Sequence, residues 1–150
     1  MSSCSASTEH SSGHSCEKAF DGVLDDGWAT SGEGAGAWIK INFVKQYSLA
    51  KIALMQRPYD EYWKDITLEF SDGASVNFTL PNTYPTKQWE EIDLTAYGDV
   101  IKSDYVKIYA ISVYRKVNVG FTEVKVFSCA AGKTTQFKII ANNCPCKVVL

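Results

Sequence analysis

Hydrophobic and polar positions alternate along short segments of this chain. The first clear segment is 38–43, where three apolar side chains alternate with Trp38, Lys40 and Asn42. A period of two is typical of a β-strand that buries one face. The same pattern, or a short apolar run, predicts further strands at 50–54, 65–70, 75–80, 89–94, 105–114 and 121–127.

A tight turn is predicted between two of these strands. Asp72-Gly73 separates the segments 65–70 and 75–80, and this dipeptide supplies the positive backbone angles that a short hairpin needs. No window of ten or more residues carries a helical apolar stripe. The class is therefore all-β, and seven or eight short strands in 150 residues favour a sandwich or jelly roll of two packed sheets.

The two ends of the chain depart from this pattern. Residues 1–15 form a Ser-rich N-terminal arm with both histidines, His10 and His14, which is either loose or an early edge strand. The sandwich domain is expected over 16–129. Residues 130–150 are a C-terminal extension, in which 136–140 or 147–150 could add an edge strand.

Charge and hydropathy exclude several classes of partner. Basic side chains number 15 and acidic ones 17, for a net charge of -2, and no basic stripe of the kind that binds nucleic acid is present. No apolar run approaches the roughly 18 residues of a membrane span. The start, Met1-Ser2-Ser3-Cys4, lacks a signal-peptide pattern. The chain is expected to be cytosolic, or extracellular or secreted with a signal outside this sequence.

Five cysteines lie in the outer parts of the chain, and the odd count leaves at least one without an intramolecular partner. Cys16 and Cys129 would close a clasp if the ends of the domain meet, and we expect this disulfide if the protein is secreted. Reduced buried thiols are the alternative. The sequence assigns no role to Cys4, Cys144 or Cys146, because Cys-Pro-Cys has the spacing of neither a redox pair nor a zinc knuckle.

The sequence predicts a protein that is not an enzyme. There is no G-x-S-x-G elbow and no cysteine with a placed histidine partner. The glycine-rich segment 32–36 leads into a strand instead of a helix, so it does not match a dinucleotide-binding loop. Adjacent carboxylates such as Glu90 and Glu91 point to opposite faces of an extended chain and do not converge on one bond.

Three carboxylates crowd the segment 16–30, namely Asp21, Asp25 and Asp26. Their hard oxygens and the carbonyls of a glycine-punctuated loop are the donors that calcium, with about 6–8 oxygen ligands, requires. The spacing is not that of an EF-hand, because Asp26 and Gly32 stand where the turn glycine and the bidentate glutamate would be. The alternative is a loop of Asx turns whose aspartates cap backbone amides.

The segment 56–64 combines aromatic and charged side chains. Its candidate ligand-binding residues are Arg57, Tyr59, Asp60, Tyr62, Trp63 and Lys64. Flat rings stack on the apolar face of a sugar while charged groups hydrogen-bond its hydroxyls, so this composition favours sugar recognition. The alternative is that Tyr62 or Trp63 plugs the end of the core. Glu33 and Trp89 are weaker candidates on neighbouring loops.

Several short motifs, taken in their order and spacing, resemble one known family. They are Ala19-Phe20-Asp21-Gly22 with Trp28 seven residues after the aspartate, Trp38–Phe43, Tyr105–Ile108, and Gly120–Phe127 followed by Cys129. These motifs are similar to those of the discoidin, or coagulation factor V/VIII type C, domains and the related galactose-binding carbohydrate modules. The resemblance covers residues 16–129 and implies an eight-stranded jelly-roll β-sandwich.

The resemblance also implies a structural Ca2+ ion under the opening loop. Its carboxylate ligands would be Asp21 and Glu123, and Asp26 stands where many relatives carry a hydroxyl residue. The implied carbonyl ligands are those of Lys18, Val23 and Thr122. Such an ion would tie the first loop to the last strand and stabilise the fold by binding only the native state.

Ligands of the resembled family bind on loops at one end of the sandwich, and the segment 56–64 matches one of them. We therefore expect a non-catalytic carbohydrate-binding module for galactose- or fucose-type terminal sugars of glycans. The alternative is a cell-adhesion or receptor-type domain that binds a cell-surface protein or a phospholipid. Membrane lipid is disfavoured because Asp60 and Glu61 make this loop acidic, whereas lipid binding needs apolar spikes ringed by cations.

Overall fold

The computed structural model describes residues 2–115, 118–129 and 146–150. Within these residues the chain forms nine β-strands and three short 3-10 helices. The strands are β1 (Ser3–Ala6), β2 (Trp28–Ala29), β3 (Trp38–Gln56), β4 (Asp65–Phe70), β5 (Ser75–Thr79), β6 (Trp89–Asp93), β7 (Lys102–Ala110), β8 (Gly120–Cys129) and β9 (Cys146–Val148). The 3-10 helices are Ser12–His14, Cys16–Ala19 and Leu94–Tyr97. In these ranges no helix is long and apolar enough to cross a membrane.

Strand β3 is 19 residues long and organises the whole sandwich. Its first half pairs with β1 and β7, and β7 continues through β4 to β5; we call this the first layer. Its second half pairs with β6 and β8, and β8 also pairs with β2 and β9; we call this the second layer. The register of β3 shifts between Asn42 and Tyr47, where the strand passes from one layer to the other.

The core lies between the apolar faces of the two layers, as the alternating pattern predicts. In the first layer, Ile39, Ile41, Ile66 and Ile108 are fully buried, and Ile52 is fully buried in the second. All pairings between the strands are antiparallel. The prediction of an all-β sandwich is confirmed, and the predicted hairpin at Asp72-Gly73 joins β4 to β5, where Gly73 has a φ of 88°.

The N-terminal segment belongs to the sheet, because β1 forms an edge strand against the first half of β3. Of the two interpretations of residues 1–15, the early edge therefore holds for Ser3–Ala6. At the other end, Cys146–Val148 adds an edge strand to β8. The other proposed edge segment, 136–140, lies outside the described residues.

The disulfide of Cys16 is made with Cys4, so the predicted Cys16–Cys129 clasp is wrong. Pairing of Cys4 with Ile41 holds the start of the chain beside the 3-10 helix that contains Cys16, and the two Cα atoms are 6.0 Å apart. That separation lies in the range that a disulfide spans. Cys129 lies at the end of β8, opposite Cys146 on β9.

Loss of the Cys4–Cys16 disulfide is expected to destabilise the domain. The bond joins residues 12 apart in sequence, and closing a loop of that size restricts the unfolded chain by about 3 kcal/mol. We expect the Cys4→Ser/Cys16→Ser double variant to unfold at a lower urea concentration than the wild type, with an equal or steeper dependence on denaturant because its unfolded chain is less compact. Cys146→Ser, which changes an exposed cysteine, is the control. Equal midpoints for the double variant and the wild type would contradict a stabilising role for this bond.

Candidate functional site

The loop 20–27, which carries the acidic residues, packs against the start of β8. Trp28 pairs with Phe121 directly after the loop. Gly27 has a φ of 148°, and a Cβ at this position would lie 2.5 Å from the carbonyl oxygen of Phe121. Only glycine permits so close an approach in this conformation. The packing holds the acidic loop next to Glu123 on β8.

Asp21, Asp26 and Glu123, which the sequence predicts as metal ligands, lie on the two sides of this contact; we call them the acidic cluster. The backbone N–H of Gly22 donates to Glu123 Oε1 at 3.3 Å. Lys18 Nζ lies 3.1 Å from Asp21 Oδ2 and 3.1 Å from Asp26 Oδ2. A cation of the protein itself therefore already links two carboxylates of the cluster.

Two oxygens of the acidic cluster, Asp26 Oδ1 and Glu123 Oε2, are buried without a hydrogen-bond partner. Burial raises the pKa of Glu123 to about 7, and the negative charges of Asp21 and Asp26 add to this rise. The Gly22 N–H and Lys125 act in the opposite direction. Buried acceptors without a donor are costly. Carboxylate oxygens are ligands of the type that calcium takes, but among the described residues Asp21, Asp26 and Glu123 do not form a group whose ligand atoms all lie within 4.8 Å of one another.

The other predicted calcium ligands contribute different contacts. Lys18 faces the cluster with its ammonium group. The N–H of Val23 donates to Asp21 Oδ1 at 2.9 Å, which is the Asx-turn geometry of the alternative interpretation. Thr122 is buried, and its hydroxyl donates to the carbonyl of Gln56 at 3.4 Å.

A tighter group of possible ligand atoms occurs at Cys4, Cys16 and Glu17. These are the three His, Cys, Asp or Glu residues in the described part of the chain whose ligand atoms all lie within 4.8 Å of one another. The two sulfurs are bonded to each other, and a disulfide sulfur is not the thiolate that binds metals. This group therefore serves as a structural crosslink.

Tyr62 and Trp63 belong to the core, so the structure contradicts the prediction that they stack on a ligand. They are only 1% and 0% exposed. The Trp63 ring lies 4.7 Å from the ring of Phe121 and 6.0 Å from that of Trp28, measured between centroids. The hydroxyl of Tyr62 donates to the carbonyl of Thr86 at 3.1 Å. The alternative, that these rings plug the end of the core, is the correct one.

The side chain of Gln56 turns this part of the loop inward. Its Oε1 accepts from the N–H of Trp63 at 2.7 Å, and its Nε2 donates to the carbonyl of Trp63 at 3.2 Å. Trp63 also forms an isolated β-bridge with Val113. The backbone groups of the buried segment are thus satisfied by a side chain and a neighbouring segment, as a buried backbone requires.

Tyr59 is the exposed ring of the predicted ligand loop, and the buried Arg57 and the half-buried Glu61 lie beside it. The ring of Tyr59 is 58% exposed and lies 5.2 Å from Arg57 Cζ. Arg57 Nε and Glu61 Oε2 are 3.7 Å apart, which is too long for a hydrogen bond. Arg57 Nη1 and Glu61 Oε2 are both buried without a hydrogen-bond partner. A donor and an acceptor therefore remain unsatisfied beside an exposed ring.

Asp60 and Lys64, the remaining predicted ligand residues, have other contacts. Asp60 Oδ2 accepts from Arg115 Nη1 at 2.8 Å, so its charge is paired. Lys64 is exposed, and its Nζ lies 5.9 Å from the ring centroid of Tyr114. Both residues lie at the surface without an unsatisfied buried atom.

His14 lies near this loop, a position that the sequence did not predict. Burial lowers the pKa of His14, the positive charges of Arg57 and His10 lower it further, and Asp26 raises it. Arg57 and Asp26 are therefore close enough to His14 to shift its pKa, although within the described ranges the side-chain hydrogen bond of His14 is to Ser11. The rings of His10 and His14 are in edge contact, with centroids 5.7 Å apart. We call Arg57, Tyr59, Glu61 and His14 the arginine site.

The two weaker candidates are engaged elsewhere. The carboxylate of Glu33 accepts a hydrogen bond from the hydroxyl of Ser7, which fixes it to the N-terminal segment. Trp89 lies on β6 opposite Met55, and its ring faces Lys125 Nζ at 4.5 Å. Neither residue contacts the arginine site through a hydrogen bond or an ion pair within the described ranges.

Comparison with solved structures confirms the fold that the resemblance implied. The family 32 carbohydrate-binding module of Clostridium perfringens NanJ, in complex with galactose, has a TM-score of 0.67 and 16% identity, covering 83% of this chain and 92% of that one. Chitosan-binding module 2 of a Paenibacillus sp. IK-5 chitosanase/glucanase, in complex with chitotriose, has a TM-score of 0.65 and 20% identity, covering 83% and 94%. An F5/8 type C domain from Bacteroides fragilis has a TM-score of 0.67 and 14% identity, covering 83% and 89%.

Comparison at the level of sequence gives one match. Residues 1–127 match the family model described as "Domain of unknown function (DUF7402)". This model is distinct from a discoidin family model, so the discoidin resemblance is shown for the fold. The sequence matches no curated protein.

Proposed function

Because the chain belongs to the family described as "Domain of unknown function (DUF7402)", we infer its function from its own site. We propose that the domain is a non-catalytic module that binds a carbohydrate through the arginine site, and that its ligand is a terminal sugar of the galactose or fucose type on a glycan. A structural calcium ion at the acidic cluster is the second part of this proposal.

The observation that carries the carbohydrate proposal is the unsatisfied pair in the arginine site. Arg57 Nη1 is a donor without an acceptor, and Glu61 Oε2 is an acceptor without a donor. A sugar hydroxyl both donates and accepts, so two neighbouring hydroxyls of one sugar would satisfy both atoms once the side chains of Arg57 and Glu61, whose polar atoms are buried in the structure, turn toward the ligand. The exposed ring of Tyr59 beside Arg57 offers the flat apolar surface that the C–H face of a sugar needs.

The structural relatives support a sugar as the ligand class. The NanJ module was solved with galactose and the chitosan-binding module with chitotriose. Both share the fold of this chain. A shared fold does not assign a function, because function depends on the residues of the site. The argument for this chain therefore rests on Arg57, Glu61 and Tyr59, and the relatives agree with it.

For calcium, the proposal rests on the buried, unpartnered oxygens of Asp26 and Glu123. Asp21, with the backbone carbonyls of Lys18, Val23 and Thr122, would complete the ligand set. The ion would supply positive charge where burial now disfavours the ionised form of Glu123. Its role would be structural, because it would join the acidic loop to β8.

An extracellular or secreted location belongs to the same proposal. Disulfides persist in oxidising compartments and are rare in reducing ones. The Cys4–Cys16 bond joins the edge strand β1 to the 3-10 helix that precedes the acidic loop. A domain that displays a glycan-binding site outside the cell would use such a crosslink.

The test is a glycan array probed with the multimerised wild-type domain in calcium-containing buffer, followed by titration calorimetry with the sugar of the strongest hit. We expect Arg57→Gln to weaken binding at least tenfold, because a lost charge-assisted hydrogen bond costs about 1.5–3 kcal/mol. Arg115→Gln is the matched control, since Arg115 is largely exposed and pairs with Asp60. It should bind like the wild type.

The melting temperature of Arg57→Gln separates a binding role from a structural one. Arg57 Nη1 makes no hydrogen bond, but Arg57→Gln removes the ion pair with Glu61, so we expect a modest fall in melting temperature and a loss of binding that persists at temperatures where the variant is fully folded. A blank array, or equal affinities for Arg57→Gln and the wild type, would overturn the carbohydrate proposal at this site and favour a protein partner.

A further inference from the structure

The outward face of the first layer carries an arrangement of rings and lysines that the arginine site does not include. On adjacent strands β3 and β7, Trp38 lies opposite Tyr109 and Lys40 lies opposite Lys107. Tyr105 follows on the same face, opposite Asn42. Along the strands the order is therefore ring pair, lysine pair, ring. We call these five aromatic and lysine residues the sheet platform.

The lysines of the sheet platform are held over its rings. Lys40 Nζ lies 3.9 Å from the centroid of the Tyr105 ring, and Lys107 Nζ lies 5.0 Å from that of Trp38. Like charges placed directly opposite each other destabilise a sheet. The pair of lysines is present despite this cost, and it concentrates positive charge at the centre of the face. The contacts with the rings hold the two ammonium groups in place.

The positive charge of the platform is only partly neutralised. Lys107 forms an ion pair with Glu69, with a separation of 3.8 Å between Nζ and Oε2. Lys40 takes part in none of the ion pairs within the described ranges. A cation that has a ring beneath it and no carboxylate partner remains available to an external anion.

The flanking strands leave the platform open. On β1, the residues that share this face with Asn42 and Lys40 are Ser3 and Ser5, whose side chains are small. On β4, Thr67 lies opposite Tyr109. Tyr109 itself is 36% exposed. Glu69 of β4 also borders the platform, opposite Lys107, so among these flanking strands the side of β1 is the one along which a chain-like ligand would meet only small polar side chains.

We propose that the sheet platform is a second binding surface, and that its ligand is an acidic polysaccharide built of uronic acid units. The rings would contact the C–H faces of the sugars, and Lys40 and Lys107 would pair with their carboxylates. Charge complementarity selects this ligand over a neutral glycan, because a neutral chain would leave the central ammonium groups without a partner. The surface is formed by sheet residues and shares none with the arginine site.

The experiment is affinity electrophoresis of the native domain in gels that contain polygalacturonate, alginate or neutral hydroxyethyl cellulose. We expect polyuronates to retard the wild type and hydroxyethyl cellulose to leave its mobility unchanged. Lys40→Gln and Trp38→Ala should each weaken the retardation about threefold to tenfold, since exposed ion pairs and aromatic contacts each contribute about 0.2–1.5 kcal/mol. Added salt should weaken it as well.

Matched controls come from the second layer, where Lys125 Nζ lies 4.5 Å from the ring of Trp89. Lys125→Gln removes the same charge from a similar ring pair and should leave retardation unchanged. Arg57→Gln should also bind polyuronate like the wild type, so that failure of the arginine site and failure of the sheet platform give different results. Circular dichroism of Trp38→Ala, with Trp38→Phe as the variant that keeps a ring, shows whether the fold is intact.

Three results would overturn the proposal. The first is the absence of retardation by both polyuronates. The second is an equal loss of retardation in Lys40→Gln and Lys125→Gln, which would show that net charge alone causes it. Retardation by hydroxyethyl cellulose that Lys40→Gln does not change would assign the face to neutral glycans and also contradict the proposal.

Discussion

Replacing Trp63 with alanine is expected to lower the free energy of unfolding by about 3–5 kcal/mol, the usual cost of removing a buried tryptophan. Trp63 is fully buried and packs on Trp28 and Phe121, which hold the start of β8 against β2. For a domain of this size the melting temperature should fall by about 10 °C or more. Thermal and urea unfolding followed by circular dichroism measure both quantities.

Two variants separate the packing of Trp63 from other effects. Trp63→Phe keeps an aromatic ring and loses no hydrogen bond, because Nε1 of Trp63 has no partner; it should cost much less than the alanine change. Tyr59→Ala removes an exposed ring from the same loop and should leave stability nearly unchanged. A Trp63→Ala domain with a normal melting temperature and no sugar binding would restore the ligand-binding prediction and refute the core position.

The second large effect concerns Glu123 and depends on pH. In the metal-free domain the pKa of Glu123 is raised to about 7, above its ordinary value of 4.5. Between these two values the unfolded chain loses the proton before the folded chain does, so stability falls as the pH rises through this window. Above about pH 7 the full loss, about 3 kcal/mol for this shift, is present.

Glu123→Gln should therefore act in opposite directions with and without calcium. Its amide oxygen can still accept from the Gly22 N–H, while the buried charge is gone. In chelator at pH 8 we expect the variant to unfold at a higher temperature than the wild type. In calcium the wild type should gain about 2.7 kcal/mol at a free concentration a hundred times Kd, and the variant should gain little.

Glu91→Gln is the control for a surface acid, since Glu91 is exposed and pairs with Lys51 on β3. It should follow the wild type in both buffers. Equal melting temperatures of the wild type in calcium and in chelator would refute the calcium proposal. A wild type whose stability in chelator does not change between pH 5 and pH 8 would refute the buried state of Glu123 independently.

Most of the fold could be predicted from the sequence, because a strand that buries one face has to alternate. The segment 38–43 shows this directly, with Ile39 and Ile41 buried and Trp38 outward. The length of β3 was harder to predict, since 44–48 interrupts the alternation where the strand changes layers. Only the pairing with β7 on one side and β8 on the other shows that a single strand continues.

The site was predictable only where its residues are close in sequence or share a motif. Asp21 and Glu123 are far apart in the chain, and the family resemblance brought them together in the prediction. Tyr62 and Trp63 were assigned to the surface because composition does not distinguish a ring that faces solvent from one that Gln56 turns inward. His14 was left out because the pairing of β1 with β3, which draws the N-terminal segment onto the sandwich, depends on long-range contacts.

The cysteine pairing shows the same limit. Cys4 and Cys16 were not paired in the prediction, since the widely separated Cys16 and Cys129 looked suited to closing the domain. Whether two cysteines meet is decided by the distance between their Cα atoms, and that distance follows from the register of β1 on β3. Spacing along the chain carries no information about this register.

Because β3 supplies backbone hydrogen bonds to both layers, loss of this strand would open both of them. We therefore expect the domain to unfold as one cooperative unit, with partial opening most accessible at marginal strands such as β5 and β6. The loops at the end of the sandwich contribute little to strand β3. Their sequences can therefore change without producing a partly folded domain. Loop variation in such a domain alters what is bound and leaves the folding unit intact.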